Sequence, residues 1–378
     1  MALTLISVLT ILLTLFYVTV VLFLRRGWGR LTDFNLTPEF KPVTRVSVIV
    51  AARNEEENIN RTLDDLIAQN YPKELLEIII VDDHSTDRTS EIISSYAAKG
   101  VLLIRLNESE KLNSYKKKAI TEAIKVSSSD LIVTTDADCR MNKNWLRTIA
   151  GFYQENHCNL ISSPVIYFEE RNWFERLQSL EFLFLIGLGA SSIGNKVPST
   201  CNGANLAYRR DVFFELSGFR GIDDLASGDD ELFMHKVASA YPGSIGFCKS
   251  SAALVYTHAK SNLREFIRQR KRWASKSTRY KNKGIVALGV LTWLFNVMLL
   301  VNTLLGVIYP AYFTLGAGAL MVKFSTETFF LWPLCRFIKR INLIRFMPFL
   351  TVVHILYMVY IGIAGNSGKY VWKGREVR

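Results

Sequence analysis

The chain is poor in the side chains that build metal or disulfide frameworks. Its 378 residues include five cysteines and five histidines. Cys139, Cys158, Cys201, Cys248 and Cys335 never fall at C-x-x-C spacing. An odd number without paired spacing argues against a stapled scaffold and for reduced thiols. No His–Cys pairing suggests a thiol nucleophile. Internal repeats and low-complexity tracts are missing as well. Acidic residues are the minority, 34 against 46 Lys and Arg, for a net charge of +12. The basic runs lack the interleaved aromatics of a single-strand nucleic-acid platform. They cluster beside apolar segments, which matches an anionic lipid surface and no nucleic acid.

Charge is absent from Ala2 to Leu24. That length fits the roughly 20 residues a helix needs to cross a bilayer. No positive charge precedes the run and no small-residue cleavage site succeeds it, so it reads as an uncleaved anchor, residues 1–30. Arg25, Arg26 and Arg30 place the domain after the anchor on the cytoplasmic side of a multi-pass membrane protein. A second apolar block divides into Ile285–Tyr309, Ala311–Leu334 and Phe346–Ala364, within a membrane region 284–378. If all three span, the basic tail (Lys369, Lys373, Arg375, Arg378) lies outside, against the positive-inside rule. One segment would then be re-entrant or interfacial, leaving two to three membrane helices. Lys323 and Glu327, four apart, are expected to pair or to face other helices.

Residues 43–283 alternate strand and helix patterns. Arg45–Ala52, Glu77–Val81, Val101–Leu106 and Leu131–Thr135 read as buried strands. Helices are expected over Thr86–Ala98 and Lys116–Val126, and after Asn54, which would cap its helix with Glu57 as box partner. Ile59, Leu63, Leu66 and Ile67 would form that helix's inner face. This order predicts an α/β, Rossmann-like, mostly parallel sheet. Asn159–Val165 reads as one more strand. Trp173–Leu188 reads either as an amphipathic helix on the bilayer surface or as a core helix. Cys201–Asn205 is a turn before a short strand, Gly228–Glu231 opens a helix, and Leu263–Tyr280 is a strongly basic helix.

Acidic residues end the predicted strands: Glu55 after the first, Asp82 and Asp83 after the second, Asp136 and Asp138 after the fourth. In a parallel sheet those ends share the edge where open α/β folds bind ligands. Carboxylates there can accept from a nucleobase and ribose, and one can hold a hard divalent cation carrying a phosphate. A lysine of Lys116–Lys118, at a helix start, could meet a diphosphate, although three adjacent lysines cannot all face one site. Asp229 and Asp230 open another helix, where Asp229 is expected to cap while its neighbour acts as general base. Gln269, Arg272 and Trp273 share a helix face offering an amide, a guanidinium and an indole. Arg268, Arg270, Lys271, Lys276, Arg279, Lys281 and Lys283 would face headgroups. His258 is a candidate third metal ligand, and His84 is expected only to pack or hydrogen-bond.

Taken in order, VSVIVAARNEEENI, IIIVDDHSTDRT, TTDADC, CNGANLAYRR, SGDDEL and QRKRW resemble the family 2 glycosyltransferases. The likeness is to the membrane branch with cellulose and hyaluronan synthases and ceramide glucosyltransferase, over about Val46 to Trp273. The resemblance implies a GT-A fold and inverting transfer from a nucleotide-diphospho-sugar, a UDP-sugar by preference. Glu55, Asp82 and Asp83 would contact the nucleoside, and Asp136 the ribose near the metal. Asp138 would hold Mg2+ or Mn2+. Asp230 would be the base, with Asp229 as the other candidate. Gln269, Arg272 and Trp273 would cover the diphosphate and acceptor. Asn202, Gly203, Ala204 and Asn205 would border the acceptor pocket. The glycine usual before the phosphate-region lysine is replaced by Ser114-Tyr115. The expected acceptor is a membrane lipid or glycan, at a prokaryotic inner membrane. A processive polysaccharide synthase, a tethered enzyme with a soluble acceptor, and a non-enzymatic nucleotide-binding transporter or scaffold are the alternatives.

Overall fold

The structure is a computed structural model. It describes residues 2–107, 112, 114–225, 227–276, 280, 282–364, 370–372 and 375–377. Arg279, Lys281, Lys369, Lys373 and Arg378 lie outside the described residues. The chain runs α1 (Ala2–Arg30), β1 (Val46–Ala52), α2 (Ile59–Ile67), β2 (Leu76–Asp82), α3 (Thr89–Ser94), β3 (Val101–Arg105), α4 (Tyr115–Val126) and β4 (Leu131–Asp136). Next come β5 (Arg140–Met141), α5 (Trp145–Asn156), β6 (Leu160–Ser162), β7 (Val165–Tyr167), α6 (Trp173–Gly194), β8 (Leu206–Arg209) and α7 (Arg210–Glu215). The remainder is α8 (Glu231–Ala240), β9 (Ile245–Phe247), β10 (Val255–Thr257), α9 (Leu263–Ser275), α10 (Lys283–Leu305), α11 (Pro310–Phe337), α12 (Met347–Ala364), β11 (Tyr370–Trp372) and β12 (Arg375–Val377). Two compact units result. One comprises Met1–Gly29, Glu170–Ser191 and Ala259–Gly368, the other Arg30–Glu169, Ser192–His258 and Lys369–Arg378.

The second unit is built on a seven-stranded sheet of order β3-β2-β1-β4-β8-β6-β9. The first four strands run parallel, and β8 is antiparallel to both of its neighbours. Central strands buried on both faces read as continuous apolar runs, which is why β1, β2 and β4 were legible. Ile49, Val81 and Ile132 pack with Ile120 and Ile124 of α4 and with Phe213 and Phe233 beyond β8. Register sets the edge that matters: Ala52 pairs with Asp82 and Ala51 with Asp136, so the acidic strand ends lie level.

Three local expectations fail here. Asn54 does not cap α2, which starts at Ile59. Asn54 instead adopts φ 50°, and its Oδ1 accepts from the Thr86 N–H at 2.9 Å, tying the β1–α2 loop to the β2–α3 loop. The run 159–165 is not one strand. It breaks at Pro164, which has no N–H to give a ladder, and β7 leaves to join β5 and β10 in a separate sheet. The helix expected over Thr86–Ala98 is shorter, six residues and then a 3₁₀ turn at Ala97–Lys99.

The first unit is helical. Among the described residues, four helices are long and apolar enough to cross a membrane: Leu3–Arg30, Trp173–Gly194, Lys283–Leu305 and Ile341–Ala364. Pro310–Phe337 does not qualify, because Lys323, Glu327 and its hydroxyl residues dilute its hydropathy. Trp173–Gly194 does, and it packs inside the unit rather than lying on a surface, with 72% of its most apolar window buried. Close approach is enforced at Gly187, where a Cβ would meet Leu334 Cδ2 at 2.0 Å. Glu327 accepts from both Lys323 and Tyr17, and Asn302 donates to Thr10 at 2.8 Å. Such bonds satisfy polar groups that lipid could not.

Candidate active site

Side chains from β4, α4 and the loop before α8 meet at the carboxyl edge of the parallel strands. Asp136 ends β4, and Asp138 lies in the turn just after it. Asp136 and Asp138 each offer an oxygen, and Cys139 its sulfur, within 4.8 Å of one another. Carboxylate oxygens suit Mg2+ or Mn2+, so the donor set fits a divalent ion. Burial, then Asp138 and Asp136, push the Cys139 thiol well up, so it stays a neutral thiol at neutral pH. His258 is not in that group; its ring stacks on Phe168 with centroids 4.5 Å apart.

The DxD turn is gripped from α2. Thr62 Oγ1 lies 2.8 Å from the Ala137 carbonyl and 2.9 Å from that of Cys139. One turn on, Asp65 takes a fork of bonds from Arg140, at 2.6 and 2.9 Å, and another from the Met141 N–H. Gln69 Nε2 then donates to the Asn142 carbonyl. This polar face at i, i+3 and i+7 escaped the sequence reading. Its signal is polar residues alternating with the apolar side of the helix.

The three lysines of α4 divide their work. Lys116 Nζ lies 2.8 Å from Asp136 Oδ1 and 3.3 Å from Asp229 Oδ2. Burial alone would lower its pKa, but Asp136, Asp229 and Asp230 together raise it above the ordinary value. Lys117 is buried against backbone carbonyls of 222–227. Lys118 pairs with Glu122 on the outer face.

Asp230, not Asp229, caps α8: its Oδ1 accepts from the Glu231 N–H at 2.7 Å. Its Oδ2 accepts from the Gly203 N–H at 3.0 Å. Two backbone donors thus fix the orientation of this carboxylate. The turn that holds it is fixed in its own right, since Asn202 Oδ1 accepts from the Ala204 N–H and Thr134 donates to the Gly203 carbonyl. Asn205 is fully buried, its amide bonded to Pro164, Ala253 and Trp145. Gly203 and Ala204 are buried too. The turn therefore supports Asp230 from behind, and Asn205 serves as a strut rather than as a pocket wall.

Asp82 and Asp83 sit on the same edge and are nearly fully buried. Asp82 Oδ1 accepts from the Ser85 N–H, and Asp83 Oδ1 lies 3.1 Å from His84 Nδ1. Glu55 donates its N–H to Thr89 and accepts from Asn58.

Gln269, Arg272 and Trp273 lie on α9, in the helical unit. Arg270 between them does not face headgroups. It is 2% exposed, forks onto Glu181 of α6, and donates to Gln269 Oε1 at 2.6 Å. Its guanidinium lies over Trp273, 4.3 Å from the ring centre. Lys276 is buried as well.

Comparison with known proteins gives the class. Residues 47–216 match the family described as glycosyl transferase family 2. Asp229, Asp230 and α9 fall outside the matched span. The poly(ribitol-phosphate) β-N-acetylglucosaminyltransferase TarS of Staphylococcus aureus is 26% identical over 192 residues, 51% of this chain and 32% of TarS. The β-monoglucosyldiacylglycerol synthase of Synechocystis sp. is 30% identical over 112 residues, 30% of this chain and 23% of that protein. The chain thus spans under a third of either relative. The mannosyltransferase PcManGT of Pyrobaculum calidifontis, solved with GDP-Man and Mn2+, superposes with a TM-score of 0.61 at 19% identity. That superposition covers 93% of this chain and 99% of PcManGT, and establishes a shared GT-A fold.

Proposed function

We propose that the protein is an inverting glycosyltransferase that moves a sugar from a nucleotide-diphospho-sugar to a hydroxyl of a membrane lipid or lipid-held glycan. One observation carries the reading: Asp136 and Asp138 share a sheet edge with Lys116 and the Asp229–Asp230 pair. Names of relatives support it. The Synechocystis protein is by name a glycolipid synthase, and PcManGT holds GDP-Man and Mn2+. Four apolar helices among the described residues favour an acceptor held at the bilayer, and the basic flank Arg25, Arg26 and Arg30 favours the cytoplasmic side for the catalytic edge.

Glu55, Asp82 and Asp83 receive the nucleoside, with UDP the preferred nucleotide. Asp138 and Asp136 would hold Mg2+ or Mn2+, which would offset charge on the diphosphate leaving group. Lys116 adds a point charge beside it. Asp230, held by two N–H donors, takes the acceptor proton as the hydroxyl attacks the anomeric carbon from the face opposite the diphosphate. Bond formation and departure on opposite faces invert the centre and need no covalent enzyme intermediate. Gln269, Arg272 and Trp273 are assigned to the departing diphosphate and the acceptor.

The test uses membranes carrying the full chain, a panel of nucleotide sugars, and lipid extract, read by mass spectrometry. Asp138→Asn and Asp230→Asn should each lower transfer by about 100-fold or more, as loss of a metal ligand or base does. Asp230→Asn should keep Mn2+-dependent nucleotide binding, and Asp138→Asn should lose it. Full transfer by both variants would show the site to be wrongly assigned and favour a nucleotide-binding scaffold.

A further inference from the structure

We propose that Lys117 is the positioning residue that holds the Asp229–Asp230 pair in place for the reaction, an inference resting on the base assignment above. Lys117 is 1% exposed. Its Nζ donates to the carbonyls of Ile222 at 2.7 Å, Leu225 at 2.6 Å and Ser227 at 2.8 Å. An ammonium has three donors and no acceptor, so all three are spent on one short stretch of backbone. The Leu225 carbonyl also accepts from Ser114 Oγ at 2.9 Å. Among its described residues the stretch has no helix or strand to shape it. Carbonyls gathered around a buried cation supply the shape instead.

The position of this cradle in the chain gives it consequence. Asp229 lies two residues beyond Ser227, and Gly228 between them turns at φ 88°, where a Cβ would meet Leu232 Cδ1 at 2.8 Å. Asp230 then caps α8. The cradle, the corner and the cap succeed one another without slack, so a shift of the cradle moves the carboxylates. Lys116, next to Lys117 on the same helical turn, reaches Asp136 and Asp229. One turn of α4 therefore sets both the cation of the crevice and the loop that delivers the base. A misplacement of about 1 Å in a reacting group can cost on the order of 100-fold in rate.

Lys117→Met, Lys117→Arg, Ser114→Ala and Asp230→Asn would be compared in the same membranes for kcat, donor KM, Mn2+-dependent nucleotide affinity and thermal stability. Lys117→Met should lower kcat by about 30-fold or more while nucleotide Kd stays within about threefold, because the nucleotide carboxylates hang on other strands. Lys117→Arg should recover part of the loss, and Ser114→Ala should cost a few-fold in kcat. If Lys117→Met fails to fold, the Lys117→Arg and Ser114→Ala pair decides, and wild-type kcat in both overturns the proposal. So does a Lys117→Met kcat within about twofold of wild type, or nucleotide affinity falling in step with kcat. Transfer retained in Asp230→Asn sinks the base assignment itself. An inactive Asp230→Asn beside a fully active Lys117→Met sinks this inference alone.

Discussion

Lys116 Nζ lies 2.8 Å from Asp136 Oδ1, joining the end of β4 to the first turn of α4 across the crevice. The same ammonium reaches Asp229. Its folded pKa is raised, so the stabilisation is complete below the unfolded value near ~10.4 and is lost only as pH rises through the folded value. Across the neutral range the crevice therefore keeps its cation. Lys116→Gln should raise the donor KM by about 10-fold or more, as loss of a charged contact to a phosphate does. Steady-state kinetics with varied nucleotide sugar would check this. An unchanged KM would place Lys116 outside the donor site.

Gly203 has no room for a side chain. A Cβ there would stand 3.2 Å from Asp229 Oδ2 and 3.3 Å from the Asp230 Cβ. Asp230 cannot yield freely, because two backbone N–H groups hold its carboxylate. Gly203→Ala should therefore lower kcat by roughly 10-fold while the protein stays folded. Circular dichroism with turnover measurements would read both; a wild-type kcat would show that the carboxylate adjusts without cost.

Glu77 gives the sheet unit an acid-sensitive anchor. Burial raises its pKa, but hydrogen bonds from Ser128 and Ser47 outweigh it and hold the carboxyl below its ordinary value. A depressed folded pKa stabilises above the unfolded value, near ~4.3, and the contribution is lost as pH falls through the folded value. Glu77→Gln should cost on the order of 1 kcal/mol at pH 7, discounted because the group is partly exposed. The melting-temperature gap between wild type and variant should close as pH drops below about 4. A gap independent of pH would remove the carboxylate as its cause.

Arg270 and Glu181 form a buried pair in the helical unit. Truncating either leaves a charge unpartnered, so Arg270→Met and Glu181→Leu should each destabilise by about 3–5 kcal/mol. The double variant should recover much of that loss, because a buried pair replaced by apolar groups can be near neutral. Thermal aggregation in detergent would report the cycle. Additive losses would mean that the two side chains act independently.

Much of the sheet was legible because its physics is local. Apolar runs such as Val46–Val50 and Ile78–Val81 bury on both faces wherever they pair, and acidic residues that interrupt them must sit at strand ends. The errors arose where a distant partner won. Asn54 could cap a helix, but the neighbouring loop supplied a better donor in Thr86. Arg270 looked like one more cation in a basic helix until Glu181, 89 residues away in the chain, took it inside.

The amino-acid order by itself determined the alternating α/β pattern, the apolar helices and the acidic strand ends, since each depends on neighbours within a few residues. Only the tertiary structure decided which of three consecutive lysines does what. Successive helical residues point about 100° apart. Lys116 thereby meets carboxylates from two other elements, Lys117 the backbone of a loop over 100 residues on, and Lys118 its own helix. Asp230 shows the same division: its Oδ1 caps α8 through the adjacent Glu231 N–H, while its Oδ2 takes the Gly203 N–H from a turn distant in sequence.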